Sequence, residues 1–143
     1  MGLFSFIKDV GESLGLTESE TPEAETLEQE IAKYGLEAEG LEIQVEGDTV
    51  KIAGAAASQE VREKIILAAG NVKGIGAVEE EIAVTSGEAE PVFYTVQKGD
   101  TLWGISADQL GNGAKYEEIF EANKPMLSHP DKIYPGQVLR IPQ

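Results

Sequence analysis

The chain has 143 residues, of which 41% are hydrophobic, so it can form one domain or two small ones. Its formal charge of -15 argues against nucleic acid and anionic membranes as partners, and we interpret that charge mainly as a contribution to solubility. The chain contains no cysteine, which excludes a disulfide framework and fits a reducing compartment, and no apolar run is long enough to span a membrane.

The N-terminal residues predict a short amphipathic helix, not a targeting signal. Residues 3–7, apolar except for Ser5, form too short a run for a secretory signal. No cation precedes them, and Lys8 and Asp9 follow them directly, so such a signal is not expected. Phe6 stands where a myristoylation motif requires Ser or Thr. The predicted helix has one apolar face, formed by Leu3, Phe4, Ile7, Val10 and Leu14. We expect this face to dock inside the protein, because its polar side is not basic as membrane-surface helices are.

Two acidic linkers, residues 15–25 and 86–91, enclose the pattern of a small domain. Residues 41–45 alternate apolar and polar side chains, which is typical of a half-buried strand. Ser58 precedes an amphipathic run that ends at Gly70, which predicts a capped helix. The predicted elements are a helix over 26–34, strands over 41–45 and 50–52, a helix over 58–70 and a strand over 75–84.

The last fifty residues predict a second small domain with its own core. Phe93 to Val96 is β-prone, Gly99 permits a turn, and Asp100 is placed to cap the helix that follows. Residues 111–113, with two glycines, end this helix, and a second helix runs around Ile119 to Asn123. A Pro-Gly turn at 135–136 leads into a closing strand over 138–141. We therefore expect a two-stranded antiparallel sheet packed by two helices.

These patterns resemble two known domain families. The strand-helix-helix-strand segment over 91–143, with Gly99-Asp100-Thr101-Leu102 and Tyr134-Pro135-Gly136-Gln137, resembles a LysM domain. The helix-strand-strand-helix-strand segment, with residues 50–54 and 72–75, resembles a BON domain. We therefore expect an α+β protein of two domains: residues 1–85, a BON-like ion-binding domain with an extra N-terminal helix, and residues 91–143, a LysM-like domain.

The order of the N-terminal segment, the BON-like domain and the LysM-like domain resembles the Kbp family of bacterial potassium-binding proteins, and residues 120–127 and 131–142 add to this resemblance. It implies a cytoplasmic potassium sensor or buffer whose ion is held by main-chain carbonyls. The implied ligands are the carbonyls of Ile7, Val10, Glu12, Gly70, Val72 and Ile75. Neutral carbonyl cages suit potassium, a large and weakly hydrated cation. On the residues alone, Gly70, Gly74 and Gly76 are better explained as a helix end and a turn; the resemblance favours an ion-binding loop.

Other chemistry is poorly supported, and we expect no enzyme. The aspartates lack the spacing of a calcium loop, and one histidine without cysteine does not make a zinc site. His129 is expected in an exposed loop. Residues 79–81, three consecutive glutamates, are expected along a solvated strand edge because neighbours on a strand face opposite sides. Trp103 and Tyr134 could stack on a ligand but are expected in a core.

Two function classes remain from the sequence. The first is potassium binding by the N-terminal half, with the LysM-like domain as a conformational partner. The second is peptidoglycan binding through a LysM groove formed by residues 99–102 and 123–126. The lack of an export signal favours the first, because a cytoplasmic protein does not meet the mature wall. We expect a monomer that binds neither nucleic acid nor membrane.

Overall fold

The computed structural model describes residues 2–7, 24–36, 38–84 and 92–142. The chain divides into two compact units, Met1–Glu90 and Pro91–Gln143. Within the described ranges, no helix is both long and apolar enough to cross a membrane.

The first unit contains the strands β1 (Gly2–Ser5), β2 (Ala38–Glu46), β3 (Thr49–Ala56) and β4 (Ala77–Val84) and the helices α1 (Ala24–Lys33) and α2 (Gln59–Gly70). The four strands form one sheet with the order β1-β4-β3-β2. β2 and β3 form an antiparallel hairpin around Gly47 and Asp48, and β3 and β4 are parallel. Parallel neighbours need a crossover connection, and the helix α2 provides it.

The core of this unit lies between the inner face of the sheet and the two helices. α2 packs on β3 and β4, and α1 packs on α2 and β2. Ser58 caps α2 as expected, since its hydroxyl accepts the N–H of Val61 at 3.2 Å. The buried apolar side chains include Leu27, Ile31, Val50, Ile52, Ile65, Ile66, Val78 and Ile82.

The second unit has a two-stranded antiparallel sheet and two helices. Its elements are β5 (Phe93–Thr95), α3 (Leu102–Gln109), a 3₁₀ turn (Gly113–Lys115), α4 (Tyr116–Ala122) and β6 (Val138–Arg140). They enclose one core, formed by Val96, Leu102, Ile105, Ile119, Leu127, Leu139 and Ile141. The α+β class is confirmed, and so is the predicted element order from residue 24 onward.

The extra N-terminal helix is a wrong prediction for its first residues, because Gly2–Ser5 form strand β1. β1 pairs antiparallel with β4, from Gly2 opposite Glu80 to Ser5 opposite Ala77. Leu3, Phe4 and Ile7 fit a helical pattern, but the free edge of β4 offers hydrogen bonds that a short isolated helix lacks. Val10 and Leu14 of that prediction lie outside the described residues.

The glutamate run on β4 also differs from the prediction. β4 lies between β1 and β3, so it is not an edge strand. Glu80 is 1% exposed, and its carboxylate pairs with the guanidinium of Arg62 on α2 and accepts the N–H of Ile82 at 2.9 Å. Glu81 is exposed, as expected. Neighbouring residues of β4 point to opposite faces of the sheet, as expected, but one of these faces lies against the core.

Two local predictions in the second unit are wrong. Thr101, not Asp100, caps α3, since its hydroxyl accepts the N–H of Gly104 at 3.1 Å. Trp103 is 58% exposed and lies outside the core. Its ring is 6.0 Å from that of Tyr116, and its indole edge occupies the space that a side chain on Gly113 would need. His129 is exposed, as predicted.

Candidate functional site

The loop between α2 and β4 is short and tightly folded. α2 ends at Gly70, where the N–H of Asn71 still reaches the carbonyl of Leu67 at 3.0 Å. The N–H of Ile75 then donates to the carbonyl of Val72 at 3.1 Å, and Gly74 between them has a φ of 103°. Only glycine adopts that φ without strain, so the residue type at this position helps to set the path of the loop.

The side chains of Val72 and Ile75 anchor this loop in the core. They are 1% and 0% exposed, respectively. Buried apolar side chains on both sides of Gly74 fix the intervening main chain, including its carbonyl groups. A loop that is fixed in this way can present carbonyl oxygens without first having to become ordered.

Phe6 joins the N-terminal segment to this loop by two contacts. Its N–H donates to the carbonyl of Gly76 at 2.9 Å. Its buried ring lies on Gly70, where a Cβ would overlap it. The segment after β1 and the end of α2 are therefore adjacent. Ile7, the next residue, is 48% exposed.

Four of the six predicted ligand residues lie in the described part of the chain. Gly70, Val72 and Ile75 lie at the end of α2 and in the α2–β4 loop. Ile7 directly follows Phe6, which contacts this region. Val10 and Glu12 lie outside the described residues. The structure thus brings Gly70 close to the N-terminal segment, although the two are more than sixty residues apart in the sequence.

The main chain of this loop offers carbonyl oxygens, which are ligands of the kind that a potassium ion requires. Among the described residues, no hydrogen-bond donor reaches the carbonyls of Gly70 or Ile75. Carbonyls at a helix C-terminus lack intrahelical partners and carry the negative end of the helix dipole. Within the same ranges, no group of three or more His, Asp or Glu side chains could hold a metal ion. The residues present fit a cation held by neutral main-chain oxygens.

Sequence reasoning missed the roles of Phe6 and Asp48 around this loop. Sequence patterns place Phe6 only among the residues of targeting motifs, and Asp48 only among aspartates that lack the spacing of a calcium loop. The main-chain oxygen of Asp48 accepts the N–H of Gly76 at 2.8 Å. No local pattern reports either contact, because each joins elements that are distant in sequence. A glycine at the end of a buried helix was the one available signal of a close approach.

The LysM-like unit carries the second predicted site, at the β5–α3 turn and after α4. Gly99 has a φ of 89°, and Asp100 accepts hydrogen bonds from the hydroxyl of Tyr94 at 2.5 Å and the N–H of Gln97 at 2.8 Å. The hydrogen bond from Tyr94, followed by that from Gln97, lowers the pKa of the Asp100 carboxyl. The same bond, with a smaller contribution from burial, raises the pKa of Tyr94 to about 12. These bonds hold the turn in one conformation.

Asn123 fixes the other side of that region. Its amide donates to the carbonyls of Ile119 at 2.7 Å and Arg140 at 2.9 Å, and its oxygen accepts the N–H of Arg140 at 2.8 Å. The side chain is 2% exposed, so it cannot itself contact a ligand. It joins α4 to β6 and thereby positions the residues that follow.

Comparison with known proteins identifies the two domains. The BON domain family matches residues 20–86, and the LysM domain family matches residues 94–142. The chain is 44% identical over 148 aligned positions to "Potassium binding protein Kbp" of Escherichia coli (strain CFT073), covering 100% of this chain and 99% of that protein. Two similarities are partial. The uncharacterized protein YqbP of Bacillus subtilis is 37% identical over 39% of this chain and 30% of its own length. An uncharacterized Deinococcus radiodurans protein is 45% identical over 34% of this chain and 19% of its own length.

Proposed function

The chain belongs to the Kbp family, with one BON and one LysM domain, and from this we propose that it is a cytoplasmic potassium-binding protein that acts as a sensor or buffer. The observation that carries the proposal is the α2–β4 loop, whose fixed main chain meets the N-terminal segment at Phe6. The relative that matches over the whole chain is named for potassium binding.

We propose that the ion is held by the main-chain carbonyls of Ile7, Val10, Glu12, Gly70, Val72 and Ile75. The carbonyls of Gly70 and Ile75 receive no hydrogen bond from described residues, which supports their availability. The ion would replace its water shell with these oxygens. The buried side chains of Val72 and Ile75 would keep their carbonyls in place, and Phe6 would keep Ile7 near them.

The location of this site is testable by amide NMR of the full chain. Adding potassium chloride should shift the amide signals of Phe6 and of residues 71–76, whose N–H groups neighbour the proposed ligands. Signals of the LysM domain core, such as Ile105 and Ile119, should move less. Shifts confined to residues 91–143 would contradict this site.

We further propose that ion binding favours a compact form of the protein. The proposed ligands come from two distant segments, so only a form that unites them offers the complete cage, and the ion shifts the population toward it. Small-angle scattering should give a smaller radius of gyration in potassium than in sodium. Equal radii of gyration in a sample with proven potassium binding would contradict the compaction but not the ion site.

A second candidate function is peptidoglycan binding through the LysM domain, which the family match over residues 94–142 favours. The groove would lie between residues 99–102 and 123–126, on turns that Asp100 and Asn123 hold. Co-sedimentation with purified peptidoglycan tests it. Retention of the full chain by peptidoglycan, without any response to potassium, would favour this function over ion binding.

A further inference from the structure

The turn between β2 and β3 lies against the point where the α2–β4 loop enters β4. The main-chain oxygen of Asp48 accepts the N–H groups of Gly76 at 2.8 Å and Ala77 at 3.4 Å. Gly47, with a φ of 62°, gives the turn its shape. The main chain of Asp48 therefore holds the end of the loop, whatever its side chain.

The side chain of Asp48 also lies against Gly76. A Cβ built on Gly76 would come within 2.6 Å of Oδ2 and 3.1 Å of Cγ of Asp48. Adding one carbon–carbon bond places Oδ2 within about 4 Å of the Gly76 Cα. This carboxylate is thus next to Gly76, which directly follows Ile75. The carbonyl of Gly76 accepts the N–H of Phe6. It stands where the two proposed ligand segments meet.

A carboxylate at this position has a specific electrostatic effect. A carbonyl cage replaces the water of a cation but brings no net charge to it. A cation that leaves water loses solvation, and a fixed negative charge nearby offsets part of that loss, with a strength that falls with distance and effective dielectric constant. We propose that the carboxylate of Asp48 places a negative charge just outside the cation site. This charge strengthens cation binding without any contact between the carboxylate and the ion. This inference rests on the proposed function.

The proposal separates affinity from selectivity. Selectivity among monovalent cations depends on the oxygens that touch the ion, whereas a charge outside the cage attracts every monovalent cation alike. Removing the charge of Asp48 should therefore weaken potassium and rubidium binding by the same factor. The potassium-to-rubidium affinity ratio should stay unchanged.

The chain offers a matched control at the same hairpin. Glu46, at the end of β2, carries a carboxylate that pairs with Nζ of Lys51 at 3.1 Å, and its side chain is 64% exposed. Glu46→Gln removes the same unit of charge from the same acidic chain. A general effect of net charge would appear equally in Glu46→Gln and Asp48→Asn, while a local effect would appear in Asp48→Asn alone.

Calorimetric titration of the full chain with potassium chloride and rubidium chloride tests the proposal, with wild type, Asp48→Asn and Glu46→Gln compared in low and high choline chloride. In low salt, Asp48→Asn should raise the Kd for both ions by roughly three- to tenfold, and Glu46→Gln should change it less than about twofold. The difference should shrink in high salt.

Three outcomes would overturn the role of Asp48. They are an unchanged Kd in Asp48→Asn, equal losses of affinity in both variants, and a loss of affinity in Asp48→Asn that does not depend on salt. Each of these outcomes would mean that Asp48 has a structural role or acts only through the net charge of the protein. A wild-type protein that binds neither ion would instead refute the proposed function, and the titration of wild type alone distinguishes that failure.

Discussion

The ring of Phe6 lies on Gly70, so that the N-terminal segment and the end of α2 touch where a side chain on Gly70 would stand. This contact joins the first strand of the chain to the loop proposed to hold the ion. The contact requires that residue 70 has no Cβ, so a substitution of Gly70 tests it directly.

Gly70→Ala should displace the Phe6 ring, because the added methyl group overlaps it. Overpacking of this kind costs about 1–3 kcal/mol. We expect lower stability in urea unfolding and weaker potassium binding. In a Phe6→Ala background the same substitution should have little further effect, since the overlap is gone. Full additivity of the two substitutions would show that the contact does not matter.

The buried pair of Arg62 and Glu80 should make a large contribution to the stability of the first unit. Glu80→Ala leaves a buried guanidinium without its main partner, which costs about 3–5 kcal/mol. Glu81→Ala, on the exposed side of the same strand, should change the free energy of unfolding by less than about 0.5 kcal/mol. Urea unfolding measures both. Similar effects of the two substitutions would contradict the burial of Glu80.

The bond between Tyr94 and Asp100 predicts a pH dependence at both ends of the scale. The pKa of Tyr94 is raised to about 12, so the stabilisation from this bond is complete below pH 10 and is lost as pH rises through about 12. The pKa of Asp100 is lowered, so the stabilisation is present above pH 3.8 and is lost as pH falls through the lowered value.

Absorbance titration of the tyrosines measures the upper transition. In wild type, Tyr94 should ionise near pH 12, and Tyr94→Phe should lack this late component. Tyr116→Phe is the control, since it removes a tyrosine of the same unit and should keep the late component. A late transition that survives in Tyr94→Phe would assign it to another residue.

Glu12→Gln tests whether the proposed ligand at this position is the main-chain oxygen. The substitution removes a carboxylate but keeps the main-chain carbonyl, so potassium affinity should remain within a few-fold of wild type. A loss of two orders of magnitude in the same titration would point to a charged ligand and a different site.

The fold was largely predictable because local signals and core patterns agree along most of the chain. Ser58 and Gly70 marked the ends of α2, and the alternation over residues 41–45 marked β2. β1 was mistaken for a helix because five apolar or small residues at the start of a chain fit either period. Its pairing with β4 is a long-range contact that no local pattern reports.

The site was predictable only in part, and for a physical reason. Main-chain ligands leave little trace in side-chain identity, so the positions 70, 72 and 75 came from family resemblance. The contacts of Phe6 with Gly70 and of Asp48 with Gly76 depend on the packing of distant segments. Likewise, Glu80 looked like one of three solvated carboxylates until α2 placed Arg62 opposite it.

Calorimetric titration of the purified full chain in a choline buffer tests the central claim most directly. Potassium chloride should give saturable heat with one ion per chain, and sodium chloride under the same conditions should give far weaker binding or none. Absence of any potassium-specific heat, together with no potassium-dependent rise in thermal stability, would contradict the claim that this protein binds potassium.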